Sequence, residues 1–214
     1  MFTNLINCSD YVEKIIYFGS GAEFDKRYPV IKVREEEFGV RRPNTPYGIS
    51  KYTKNEIARV SKKIYNLRSF GLFGKYEDWR IYFISNLCCK AIFNLPLTIR
   101  QDCLFDYLYV KDMCRIVEWF IENTPKYHDY NVCSGNPILL SDIAKLIREI
   151  SGKDLPIIIE NKGMNLEYTG NNSRLLKEVN NLQLIPLREA VQELYDWYIN
   201  NQNLIDYTTL KSSR

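Results

Sequence analysis

Short, uninterrupted apolar runs alternate along this chain with longer segments of helical spacing, and that alternation leaves few folds open. "EKIIYFGSG" (Glu13 to Gly21) is an apolar run that ends in small residues. It lacks polar residues at alternate positions, so it reads as a parallel strand buried on both faces that runs into a tight loop. "IYNLRSFGLFG", "LPLTI", "LFDYLYV", "YHDYNVCSG" and "LPIIIE" read as further strands. Between them lie the helical segments. One is opened by Pro46 and runs to about Lys63, with Asn44 or Thr45 as its cap. Another lies in "EDWRIYFISNLCCKAIFN", with Trp79, Phe83, Leu87 and Ala91 on one face. "KDMCRIVEWFIEN" is strongly amphipathic, and "LLSDIAKLIREISG" is capped by Ser141 and stopped by Gly152. "LREAVQELYDWYINN" gives a last helix, Ala22 to Asn44 reads as irregular, and Tyr207 falls in a C-terminal tail. Strands that alternate with helices pair in parallel, so the expected fold class is α/β.

Composition excludes several functions. The 214 residues are 45% hydrophobic, enough to bury a real core. Net charge is +3, from 29 basic and 26 acidic residues with no Lys/Arg run, so no nucleic-acid partner is expected. The six cysteines form no CxxC pair, and the single His rules out Cys-His metal spacing. They read as reduced thiols of a cytoplasmic protein, with no metal site. "MFTNLINCSDYVEK" has no basic segment followed by an apolar one, so no signal peptide is expected. No run approaches the ~20 apolar residues of a membrane span. A soluble protein without a membrane partner is the expectation.

The stretch "TPYGISKYTKNE" (Thr45 to Glu56) carries the candidate chemistry. On a helix, Tyr47 and Lys51 lie one turn apart on the same face. A phenol ordinarily has a pKa near ~10 and is a poor base at neutral pH. A neighbouring ammonium favours the phenolate, so the pair can work as a tuned proton donor and acceptor. The spacing alone is not specific, because Tyr28/Lys32, Tyr107/Lys111 and Tyr207/Lys211 share it. Context separates them. Tyr28 precedes Pro-Val-Ile, Tyr107 sits in a strand pattern and Tyr207 in the tail. Only Tyr47 follows a helix start, after a strand ending in the Ser-bearing turn "FGSG", where Ser20 can orient a substrate oxygen.

"IIYFGSGAEFD", "PNTPYGISKYTKNE", "NLRSFGLFG" and "FDYLYVKDM", in that order, resemble the extended short-chain dehydrogenase/reductases. More narrowly, they resemble the NAD-dependent epimerase/dehydratase family, which acts on nucleotide sugars. The resemblance covers nearly the whole chain. It implies that Tyr47 is the catalytic acid/base, that Lys51 lowers its pKa and binds the nicotinamide ribose, and that Ser20 holds the reacting sugar oxygen. It implies NAD or NADP as cofactor and a nucleotide-sugar substrate. Leu97, in "LPLTI", falls in the region that passes near the nucleotide base. Arg80 and Arg100 become candidate partners of the diphosphate, since Arg suits bidentate phosphate contacts; each also reads as a solvated surface charge. Gly71 stands where many relatives have Asn, and Phe105 where many have Arg. Ala22 and Tyr76 stand where the fucose-synthase branch has its extra Cys and His, so the double epimerisation of that branch is not expected.

Family members begin with a strand and a Gly-rich turn that cradles the pyrophosphate at a helix N-terminus. This chain has ten glycines and neither GxGxxG nor GxxGxxG. The expectation is the second half of a Rossmann-like parallel sheet plus a small α/β substrate domain, N-terminally truncated. Residues 1–75 and 105–135 would form the partial NAD(P)-binding unit, and 76–104 and 136–214 the nucleotide-sugar unit. Two functions stay open. One is an NAD(P)-dependent epimerase, dehydratase or reductase. The other is a non-catalytic remnant or partner subunit that at most binds a nucleotide sugar. Without the first half, NAD binding should be weak, and the exposed edge of "KIIYF" should favour a homodimer or other self-association.

Overall fold

A computed structural model describes residues 2–212. In chain order the elements are α1 (Phe2–Asn7), β1 (Ile15–Ser20), β2 (Val30–Val33), α2 (Pro46–Val60), β3 (Ile64–Ser69), β4 (Gly71–Phe73), α3 (Phe83–Ile92) and β5 (Leu97–Asp102). There follow β6 (Leu104–Phe105), β7 (Tyr107–Tyr109), α4 (Val110–Glu122), β8 (Asp129–Val132), β9 (Ile138–Leu139) and α5 (Leu140–Ser151). The chain ends with β10 (Ile157–Met164), β11 (Tyr168–Gly170), α6 (Ser173–Glu178), α7 (Leu187–Asn200) and α8 (Tyr207–Ser212).

The α/β expectation holds, and the pairing is parallel everywhere except between β6 and β9. β1, β3 and β8 form one sheet in that order, with Ile15 opposite Ile64 and Ser20 opposite Ser69. β1 is therefore an edge strand. Because only β3 pairs with it, Ile15, Ile16 and Tyr17 are half-buried and Phe18 is 48% exposed, not buried on both faces as the apolar run suggests. Separate short sheets join β5 to β10, β4 to β7, and β2, β11, β6 and β9 in that order.

Three apolar clusters hold these sheets. Leu87, Leu97, Ile143, Val191 and Leu194 centre the one around α3, α5 and α7. Leu67, Ile116, Phe120 and Val132 pack α4 against the first sheet. Phe24, Val30, Phe70 and Tyr168 form a smaller cluster that joins β2 and β11 to the loop after β3.

Several local readings need correction. α2 ends at Val60, and its cap is Thr45, whose hydroxyl accepts the Gly48 N–H at 3.1 Å. Ser141 does not cap α5: Leu139 occupies that position, and the Asp102 carboxylate reaches across from β5 to accept the Ser141 N–H at 3.1 Å. Gly152 does stop that helix, in the left-handed conformation at φ 65°. Trp79 precedes α3 and is not part of it. The stretch from Ala22 to Asn44 holds β2, and the supposed tail from Tyr207 is a helix with Leu210 fully buried. Among the described residues no helix is long and apolar enough to cross a membrane.

Candidate active site

Ser20 is the last residue of β1 and caps the one-turn helix Gly21–Glu23. Its hydroxyl accepts the Ala22 N–H at 3.2 Å, and its own N–H donates to Glu23 Oε1 at 3.1 Å. Glu23 is completely buried, and so is its partner Arg68, whose Nε donates to Glu23 Oε2 at 2.7 Å. The same guanidinium reaches Asn131 Oδ1 at 2.8 Å and Asp129 Oδ2 at 3.2 Å. Arg174 continues the chain of charges, meeting Asp129 Oδ1 at 3.0 Å and Glu36 at 2.5 Å. Buried charges persist only when they are paired and hydrogen-bonded, and here each is. The Ser20 turn therefore stands on a fixed polar base. Gly19 has no room for a side chain, since a Cβ there would lie 2.0 Å from Asn66 Oδ1.

Tyr47 enters from the first turn of α2 with 57% of its surface exposed. It and Ser20 line one cleft of about 500 Å³, together with Ser69, Phe70, Tyr76 and Glu77. Gly48, next to Tyr47, brings α2 down on the Ser20 turn. A Cβ at Gly48 would lie 2.7 Å from the Ala22 carbonyl oxygen. Lys51 follows one helical turn later. Its ammonium donates to the Phe18 carbonyl at 2.6 Å and lies 5.6 Å from the centre of the Tyr47 ring and 5.0 Å from that of Tyr17. Partial burial, reinforced by nearby Lys54, lowers the Lys51 pKa from its ordinary value.

The sequence-derived set thus divides. Ser20 and Tyr47 share the cleft, and Lys51 sits against the Tyr47 ring. Arg80 is exposed and held by Asp78, with Nη2 2.7 Å from Asp78 Oδ2; it is not among the cleft-lining residues. Arg100 is exposed on β5. Leu97 is fully buried in the core, because β5 packs one face against α3 and α5, so its side chain offers nothing to a ligand.

Two residues passed over in the sequence belong to the site. Tyr168, 6% exposed, brings its hydroxyl to the Ser20 side chain; burial pushes its phenol pKa up and Ser20 pulls it partly back. A Cβ on Gly21 would come 2.3 Å from that hydroxyl. Glu77 lines the cleft and accepts a hydrogen bond from the Ser85 hydroxyl. No periodic pattern marks either one, since both are brought in by contacts between distant segments.

Residues 1–133 match the NAD dependent epimerase/dehydratase family. The chain is 21% identical over 181 residues to dTDP-glucose 4,6-dehydratase of Shigella flexneri, an alignment covering 77% of this chain and 50% of that protein. The chain thus spans about half the length of that relative. A GDP-L-fucose synthetase from Naegleria fowleri bound to NADP superposes with a TM-score of 0.81 at 16% identity, covering 94% of this chain and 71% of that one. UDP-glucose 4-epimerase from Thermotoga maritima, solved with UDP-glucose, superposes at 0.76 with 20% identity, covering 92% and 67%. At these identities the structural likeness speaks for the fold.

Proposed function

Because the chain belongs to the NAD dependent epimerase/dehydratase family, we propose that its cleft takes the sugar end of a nucleotide sugar and that Ser20, Tyr47 and Lys51 form an acid/base centre there. The observation that carries this reading is the convergence of Ser20 and Tyr47 on one cleft of about 500 Å³, with Lys51 one helical turn from Tyr47. NAD or NADP, when bound, supplies the acceptor and donor of a hydride at a sugar carbon. The Tyr47 hydroxyl takes or returns the proton at the sugar oxygen. The Lys51 ammonium favours the phenolate form, and its remaining N–H groups suit the hydroxyls of a nicotinamide ribose. Ser20 accepts one hydrogen bond from the Ala22 N–H and meets the Tyr168 hydroxyl, and with Tyr168 as the donor in that contact the Ser20 O–H can donate to the sugar oxygen.

The fit to the cofactor is partial. Lys51 suits the ribose next to the nicotinamide, whereas the sequence has no Gly-rich turn for the pyrophosphate. We therefore take residues 1–75 and 105–135 as part of an NAD(P)-binding unit, with weak binding on its own, and residues 76–104 and 136–214 as the substrate unit. Arg100 stays a proposed diphosphate contact.

A second reading is favoured by a specific observation. Among the described residues β1 pairs only with β3, and no strand pairs with its other edge. A chain with an open edge there suits a partner subunit that binds the sugar nucleotide and associates with another copy or chain without turnover of its own. Calorimetry with UDP-glucose, followed by a turnover assay read from nicotinamide absorbance, separates the two. Binding with turnover supports the enzyme, binding without turnover supports the partner subunit, and no binding overturns both.

A further inference from the structure

Glu77 stands apart from the other acidic groups near the cleft. Asp78, the next residue, is neutralised by Arg80, and Glu193 by Lys75 and Lys111. Among the described residues Glu77 has no ion pair, and its hydrogen-bond partners are neutral, the Ser85 hydroxyl and the Gly74 backbone. Tyr76 is left-handed at φ 70°, uncommon for a bulky residue, and keeps its ring exposed while Glu77 turns inward. A carboxyl with that placement borders the same cavity as Ser20 and Tyr47.

We propose that Glu77 is a ligand-recognising residue of this cleft that presents a neutral carboxylic acid, as hydrogen-bond donor, to an oxygen of the sugar. The inference rests on the reading of the cleft as a nucleotide-sugar site. Ser85 and the Gly74 backbone are both neutral partners that leave the carboxyl without a cation, and a neutral acid donates where a carboxylate only accepts. Burial pushes the Glu77 pKa up to about 7, and Ser85 moderates the rise. Among the described residues, the thiols and phenols that feel its charge stay neutral near that pH. Cys88 and Cys89 on α3, Tyr107 on β7 and Tyr198 on α7 all have pKa values raised by burial. Lys75 on its own loop is held by Glu193. A group that switches between donor and acceptor near neutral pH makes ligand affinity depend on pH.

The test uses the full chain and UDP-glucose, which carries no group of its own that titrates between about pH 6 and about pH 8. If only the neutral form binds, the apparent affinity falls with the neutral fraction, about tenfold from pH 6 to pH 8. Glu77→Gln keeps a donor at both pH values, so its affinity should be flat and close to the wild-type value at pH 6. Carbon-13 NMR of the glutamate carboxyls, assigned by difference with E77Q, should give a midpoint near 7, raised further by Ser85→Ala. Equal wild-type affinity at the two pH values, or an NMR midpoint near ~4.5, overturns this inference alone. No binding at either pH by a chain that melts cooperatively overturns the nucleotide-sugar reading, and this inference with it.

Discussion

Tyr47 and Arg68 are both polar members of the candidate site, yet they should respond to mutation in opposite ways. Tyr47 is more than half exposed, so Tyr47→Phe should change stability by less than about 0.5 kcal/mol. If the chain turns over, the same change should cut kcat by about 10²–10⁴-fold and leave UDP-glucose binding nearly intact; steady-state kinetics beside calorimetry reads this. Arg68→Met removes what is, among the described residues, the one guanidinium bonded to Glu23, whose carboxylate is completely buried. That should cost about 3–5 kcal/mol in a urea titration, because an uncompensated charge stays inside. Glu77 sets a pH dependence. Its pKa in the fold lies above the ordinary carboxyl value, so its contribution to stability is full at low pH and is lost as pH rises through about 7. The wild-type melting temperature, measured against that of E77Q, should therefore fall between pH 5 and pH 8; a constant difference would refute the shift. The nearness of Tyr47, Lys51 and Ser20 was legible because helix spacing and a Ser-bearing turn are local signals. The burial of Leu97 and the pairing of Arg80 with Asp78 were not legible, because strand facing and a two-residue ion pair are decided by packing.

Elements defined by neighbouring residues were legible, and elements defined by distant ones were not. Thr45 and Pro46 announce α2, and its buried face of Gly48, Tyr52, Asn55 and Ala58 follows helical spacing. β2 and β11 escaped notice because they are only four and three residues long and owe their extended form to each other, with Val30 opposite Tyr168. The cap of α5 escaped for the same reason, since Asp102 reaches it from a different strand. α8 had a local sign that was missed: Asp206 accepts the Thr208 N–H at 2.9 Å, as a capping residue does. The approach of α2 to the Ser20 turn is the element-scale feature with the clearest consequence. Gly48→Ala puts a methyl group against the Ala22 carbonyl, which is backbone and cannot swing aside. It should destabilise the chain by about 1–3 kcal/mol by overpacking, measured by thermal melting. It should also lower UDP-glucose affinity, because the helix that carries Tyr47 is pushed off the turn that carries Ser20. A fully stable variant would show that the approach is looser than described.

At the scale of the whole molecule, the unpaired edge of β1 and a sequence without a Gly-rich motif each carry a prediction. Phe18 presents apolar surface on a strand whose second edge no described strand pairs with, although Lys51 takes its carbonyl, and such an edge recruits other strands. Light scattering across a dilution series should find dimers or larger species, and Phe18→Glu should shift the population toward monomer; a monomer at every concentration would refute the partner-subunit reading. NAD affinity of the chain alone should be millimolar or weaker, about −4 kcal/mol, with micromolar binding as the contrary result. The buried chain of charges has a consequence of its own. Glu36 and Arg174 meet across 138 residues, and Arg174 shares Asp129 with Arg68, which in turn holds Glu23 beneath Ser20. During synthesis the N-terminal residues leave the ribosome first, yet their polar base lacks its last cation until Arg174 emerges. The Ser20 turn is made early and its polar base completed late, so a stalled or prematurely released chain would hold Asp129 and Glu36 without that cation and would be an early target for cellular proteases.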